Sequence, residues 1–197
     1  MVKIFKSKLV IIVLAVVILM SITTEGFAAN NISLLRNDNK VLANSTNSLD
    51  PNDPRSVEIF RNAFKGYIRG KKTMMENDPK AFLEMQRKSG INPFFAAAVS
   101  IVETGGGVAA SKRMRHLNNY FSVGRIHYKS QYDSIIGFGN FMKTSKYYLP
   151  RKKDTVYKVS RTYCPSNAGL WNYRVTREMN HAFEKANAEI QRINNIQ

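Results

Sequence analysis

The sequence predicts a mainly helical domain with one small β element, set behind an N-terminal leader and a polar spacer. Three observations predict it. Asx-Pro pairs recur at Asp53-Pro54, Asp78-Pro79 and Asn92-Pro93, each an N-cap followed by a residue whose missing N–H costs nothing in a first turn. Apolar residues after these pairs recur at spacings of three and four, the period of one helix face. Only residues 118–123, Asn-Asn-Tyr-Phe-Ser-Val, alternate in the manner of a strand or hairpin arm.

The elements follow in chain order. Lys3, Lys6 and Lys8 precede an unbroken apolar run over residues 9–20, and small residues end the segment near Ala29. Residues 1–29 therefore read as a signal peptide or N-terminal membrane anchor, since the run is short for a full span of about 20 apolar residues. Residues 30–52 are rich in Asn, Ser and Thr without an apolar period and read as a solvated spacer. The domain then occupies residues 53–197. Its first helix carries Val57, Phe60, Phe64 and Ile68 on one face; its second turns Phe82 and Met85 inward and stops at Gly90. The third, from Pro93 to about Glu103, is apolar nearly all round and belongs at the centre. Asp133-Ser134 caps a fourth, in which Gly137 and Gly139 imply close packing against a neighbour. Asp154 caps a fifth, with Val156, Val159 and Tyr163 on one side, and Trp171 opens a long terminal helix running past Ile190.

Composition narrows the function. With 44% hydrophobic and 22% charged positions in 197 residues, collagen and a wholly disordered chain are excluded. The single Cys164 rules out an internal disulfide, and His116, His127 and His181 form no motif with it, so it reads as structural. Lys and Arg number 30 against 14 Asp and Glu, a net charge of +16, which predicts attraction to polyanions. The leader holds three of the positive charges and one negative, so +14 stays with the remainder.

One carboxylate stands out. Glu103 ends the most apolar helix, directly before Gly105-Gly106-Gly107. Desolvation and the negative end of the helix dipole both favour its protonated form, which a general acid requires. The glycines offer backbone that a ligand can approach closely.

The stretch N-P-F-F-A-A-A-V-S-I-V-E-T-G at 92–105, then N-N-Y-F-S-V-G at 118–124, then Tyr163 and Trp171 ahead of the last helix, resembles the bacterial cell-wall N-acetylglucosaminidases of glycoside hydrolase family 73. The likeness runs over about residues 78–185. It implies a mainly α, lysozyme-like α+β domain with a small β-hairpin. It also implies an endo-β-N-acetylglucosaminidase that cuts the β-1,4 bond between N-acetylglucosamine and N-acetylmuramic acid in peptidoglycan. By resemblance Glu103 is the general acid, Tyr163 a supporting catalytic tyrosine across the cleft, Asn119, Tyr120 and Phe121 the cleft wall, and Trp171 a further sugar platform. No metal or organic cofactor is implied.

The chain departs from a two-carboxylate scheme, because no Asp or Glu lies between Thr104 and Tyr132 and Asp133 reads as a helix cap. Two routes stay open: attack by the substrate's own 2-acetamido oxygen, or attack by the muramic 6-hydroxyl as in a lytic transglycosylase. The expected partners are glycan strands and the anionic polymers of a Gram-positive wall, with Lys112, Arg113, Arg115, Arg125 and Lys129 bordering the cleft. The expected location is extracellular, secreted or membrane-anchored. A nucleic-acid binder would use the same charge but lacks a groove-reading motif. A catalytically silent wall-binding protein is the rival of another class.

Overall fold

The structure is a computed structural model and describes residues 32–44 and 48–196. The leader falls outside the described residues. Among the described residues no helix is long and apolar enough to cross a membrane. The unit Ser33–Asn195 is built almost wholly of helices: α1 Pro54–Phe64, α2 Met74–Asn77, α3 Pro79–Ser89, α4 Pro93–Thr104, α5 Lys112–His116, α6 Gln131–Thr144, α7 Val156–Tyr163 and α8 Ala168–Asn194.

The three Asx-Pro pairs do start helices. The carboxylates of Asp53 and Asp78 accept the N–H of Arg55 and Ala81, and the Asn92 carbonyl oxygen accepts that of Phe94, satisfying donors the helix cannot. Gly90 closes α3 in the left-handed conformation, φ 75°. The first helix is shorter than its stripe. It stops at Phe64, its inward apolar residues are Ile59, Phe60, Ala63 and Phe64, and Ile68 lies in the following turn.

α4 is the central rod. Phe94 points to one side, into a cluster with Phe60, Phe64 and Phe183 at 4.3–6.3 Å between ring centroids. Phe95 points to another, toward Phe138 of α6, which stacks on Phe121 at 4.3 Å and 10°. A helix with neighbours on both sides has no face to give to water, hence its continuous apolar sequence. Around it, α8 packs on α1, α4 and α7, and α6 packs on α3.

The α3–α6 contact needs glycine. A Cβ on Gly139 would stand 2.4 Å from Met85 Cγ and 2.7 Å from Ser89 Oγ. Gly137 is equally constrained by the Tyr128 ring at 2.3 Å. The expected caps of two helices shift. Ser130 caps α6 and accepts the Asp133 N–H at 3.0 Å, while the Asp133 carboxylate accepts the Ser130 hydroxyl at 2.8 Å. Thr155 caps α7, and Asp154 pairs with Lys158 and Lys40.

Two expectations are corrected. Residues 118–123 form turns, not a strand or hairpin arm; one backbone bond, Tyr128 N–H to Leu117 C=O at 2.9 Å, closes the loop. Asn118 and Ser122 take positive φ of 48° and 54°, which breaks the extended run that alternation suggested. The spacer is not free in solvent over residues 33–44 and 48–52. Leu35, Val41 and Leu49 are buried, and Val41 and Ala43 pair with the loops at Asp154, Gly90 and Asn92. These buried residues stand well apart in a polar stretch, so no apolar period announced them.

Candidate active site

Glu103 lies in the last turn of α4, half-buried, with Thr104 behind it and Gly105 as C-cap at φ 59°. The Trp171 indole Nε1 donates to Glu103 Oε1 at 2.8 Å. Trp171 sits at the start of α8 and is 4% exposed. It therefore holds the carboxylate from within the protein and offers no open face as a sugar platform, which corrects the expected role. The bond leaves Oε2 as the oxygen not taken by the indole.

Tyr163, the last residue of α7, stacks on Trp171 at 5.0 Å and 29°. Its hydroxyl donates to the Phe121 carbonyl. Burial first, and the negative charge of Glu103 second, push the Tyr163 phenol well above its ordinary range. It is a neutral hydrogen-bonding group wherever the chain is folded and the pH ordinary.

The loop after α4 is tied to these helices by two backbone carbonyls. Thr104 Oγ1 lies 2.9 Å from both the Tyr120 and Ser100 carbonyls and accepts the Gly107 N–H at 3.1 Å. Tyr163 holds the next carbonyl, that of Phe121. The glycines approach α2 here, not open space: Gly106 C=O accepts the Met74 N–H at 2.9 Å, and a Cβ on Gly107 would meet Met74 Cγ at 2.9 Å.

The three expected wall residues separate. Phe121 is fully buried on Phe138 and belongs to the core. Asn119 is 2% exposed; its amide donates to the Val123 and Gly124 carbonyls at 3.1 and 3.4 Å and accepts the Val123 N–H at 3.0 Å. Its polar groups are spent on the loop. Tyr120 stays half-buried, its hydroxyl 3.4 Å from Asn118 Oδ1, and keeps exposed surface beside the glycines.

Glu103, Trp171, Tyr163 and Phe121 are thus joined in turn by hydrogen bonds and ring stacking, Tyr120 is fastened beside them through Thr104, and Glu103 and Tyr120 keep some exposed surface. Thr104 was missed by the sequence reasoning; its signal was its place between Glu103 and Gly105, where a helix end must be fastened. On the outer side of the loop, Arg113, Arg125, Ser122 and Asn119 help line a cavity of about 530 Å³. Lys112, Arg113, Arg115, Arg125 and Lys129 are all exposed, and of these Arg113 and Arg125 line this cavity. No second acid joins Glu103 from the loop, and Asp133 is engaged by Ser130.

The chain shares its fold with an autolysin. The solved structure of S. aureus Autolysin E in complex with the muropeptide NAM-L-Ala-D-iGlu superposes with a TM-score of 0.52 and 18% sequence identity, covering 79% of this chain and 85% of that one. At this identity the likeness is one of fold. No protein-family model and no curated protein matches the sequence.

Proposed function

We propose that the chain is a peptidoglycan hydrolase that cuts the β-1,4 bond between N-acetylglucosamine and N-acetylmuramic acid, with Glu103 as general acid. The observation that carries this reading is the Trp171–Glu103 bond: it fixes one carboxylate oxygen and leaves the other to meet a glycosidic oxygen. The autolysin-like fold supports the substrate class, and the motif order supports the bond.

In the first step Glu103 gives its proton to the leaving oxygen as the C1–O bond breaks. The acetamido oxygen of the same sugar attacks C1 and shares the developing positive charge, replacing the second carboxylate that the loop lacks. The Tyr163 O–H is engaged with the Phe121 carbonyl, so the lone pairs of its oxygen accept the acetamido N–H and turn the amide oxygen toward C1. Water then opens the ring intermediate at C1, and the Glu103 carboxylate takes its proton, restoring the acid. Tyr120 supplies an aromatic edge for the sugar face. The basic rim near Arg113 and Arg125 draws the enzyme to an anionic wall outside the cell.

Mass spectrometry of borohydride-reduced muropeptides released from purified wall tests this. Reduced N-acetylglucosamine ends are expected. Anhydro-muramic ends would replace hydrolysis by transglycosylation, and binding without release would make the chain a wall-binding protein.

A further inference from the structure

Residues 143–161 concentrate charge: Lys143, Lys146, Arg151, Lys152, Lys153, Lys158 and Arg161 stand against Asp154 alone. The fold gathers five of them. Arg151, Lys152, Lys153, Lys158 and Arg161 line one concavity of about 380 Å³, outside the residues that carry Glu103 and its partners.

The gathering is built, not incidental. A 3-10 turn, Leu149–Arg151, is followed by Lys152 in the left-handed conformation at φ 56°, with its N–H on the Leu149 carbonyl at 2.8 Å. A non-glycine residue seldom adopts this conformation. Tyr148, just before the turn, accepts the Arg151 N–H at 2.9 Å through its backbone carbonyl, and its ring is buried against Phe141 at 5.3 Å and Tyr163 at 6.3 Å. The turn points three successive cations at the outer face of α7, where Lys158 and Arg161 stand one turn apart.

The local acid does not neutralise the set. Asp154 is held by Lys158 at 2.8 Å and by Lys40 at 3.6 Å, and these cations keep its carboxyl below the usual range. Arg151, Lys152, Lys153 and Arg161 have no carboxylate partner among the described residues. Arg151 lies over the exposed Tyr147 ring and Arg161 over the exposed Tyr157 ring. Like charges held together at this density repel unless an anion joins them.

We propose that this concavity binds the phosphodiester backbone of an anionic wall polymer, a polyol-phosphate chain, and so holds the enzyme on the wall. The proposal rests on the peptidoglycan reading for where such a polymer is met. Guanidinium forks and ammonium groups together suit phosphate oxygens. One carboxylate would neutralise one of four unpaired cations, whereas successive phosphates on a single chain neutralise several in one stretch. The flanking tyrosines give the polyol carbons an apolar surface.

The test uses Glu103→Gln protein, in which wall digestion should fall by about 10² or more, with and without the triple substitution Arg151→Gln, Lys152→Gln and Arg161→Gln. Lys153 and Lys158, which hold Thr162 and Asp154, are left in place. Sedimentation with purified wall is compared before and after acid removal of phosphodiester polymers. On untreated wall the triple variant should bind on the order of tenfold or more weakly, because several cations near an anionic surface are lost. On stripped wall the two proteins should bind alike. Equal binding to untreated wall would overturn the proposal, as would parent binding that does not change on stripping. Loss of duplex DNA binding by the variant with wall binding intact would reassign the surface to nucleic acid. The same triple substitution with Glu103 retained should release muropeptides from stripped wall at the parental rate, which shows that it folds. If neither Glu103-containing protein releases muropeptides while binding still follows the phosphodiester polymer, the hydrolase reading fails and the binding surface stands.

Discussion

The helix ends and the loop at 105–130 meet at Glu103, yet they are stabilised in different ways. Glu103, Tyr163 and Trp171 stand at the ends or start of α4, α7 and α8, on rods whose backbones are satisfied internally and whose sides are packed with aromatic rings. Apart from the short helix α5 the loop consists of turns, and side chains fasten it: Asn119 on its own carbonyls, Phe121 in the core, Thr104 and Tyr163 grasping it from outside. The groups proposed to react thus stand on rigid elements, while the aromatic and amide residues of a conspicuous loop motif are largely consumed in shaping it.

Phe121→Ala should show the largest effect, a loss of about 3–5 kcal/mol in denaturant unfolding, since a fully buried ring stacked on Phe138 is removed. A stable variant with weakened sugar binding would instead return Phe121 to the cleft wall. Glu103→Gln should leave unfolding nearly unchanged and lower muropeptide release by about 10² or more, about 2.7 kcal/mol of barrier. Full activity in this variant would remove Glu103 from the chemistry.

Asn119→Ala should cost about 1–3 kcal/mol of stability, because the Val123 N–H and two carbonyls lose their buried partners. If it alters only KM, the amide contacts substrate. Trp171→Phe keeps the stacking on Tyr163 and removes the donor to Glu103. Release should fall by about tenfold, in line with a lost hydrogen bond to a charged group.

The smallest effect concerns pH. Tyr163 and Tyr67 both have raised phenol pKa values in the fold, Tyr163 by burial and Glu103, Tyr67 by burial and its bond to Glu178. The unfolded chain loses these protons first, as pH passes the ordinary value of 10.0. Their contribution is whole below that point and declines above it. Melting curves should hold steady to about pH 10 and then fall, and Tyr163→Phe should flatten the fall.

Much of this was legible in the sequence. Asx-Pro pairs fix helix starts because capping and proline geometry act within three or four residues. The all-apolar run of α4 marked the central rod, and Gly139 announced a close contact whose partner, Met85, it could not name. Glu103 stood out because a carboxylate is rare at the end of such a helix.

Residues that meet across the chain were a different matter. That Trp171 holds Glu103 across 68 positions, and that Leu35 and Asn187 bond across 152, depends on how α8 lies against everything else. The turn conformation of residues 118–123 came from positive φ at Asn118 and Ser122, which a pattern of alternating side chains does not record. The three Asx-Pro helix starts, the central rod and the candidate carboxylate Glu103 could be read along the chain, because capping and apolar runs are local. Which aromatics face inward, what holds Glu103 and where five cations converge follow from packing between distant segments.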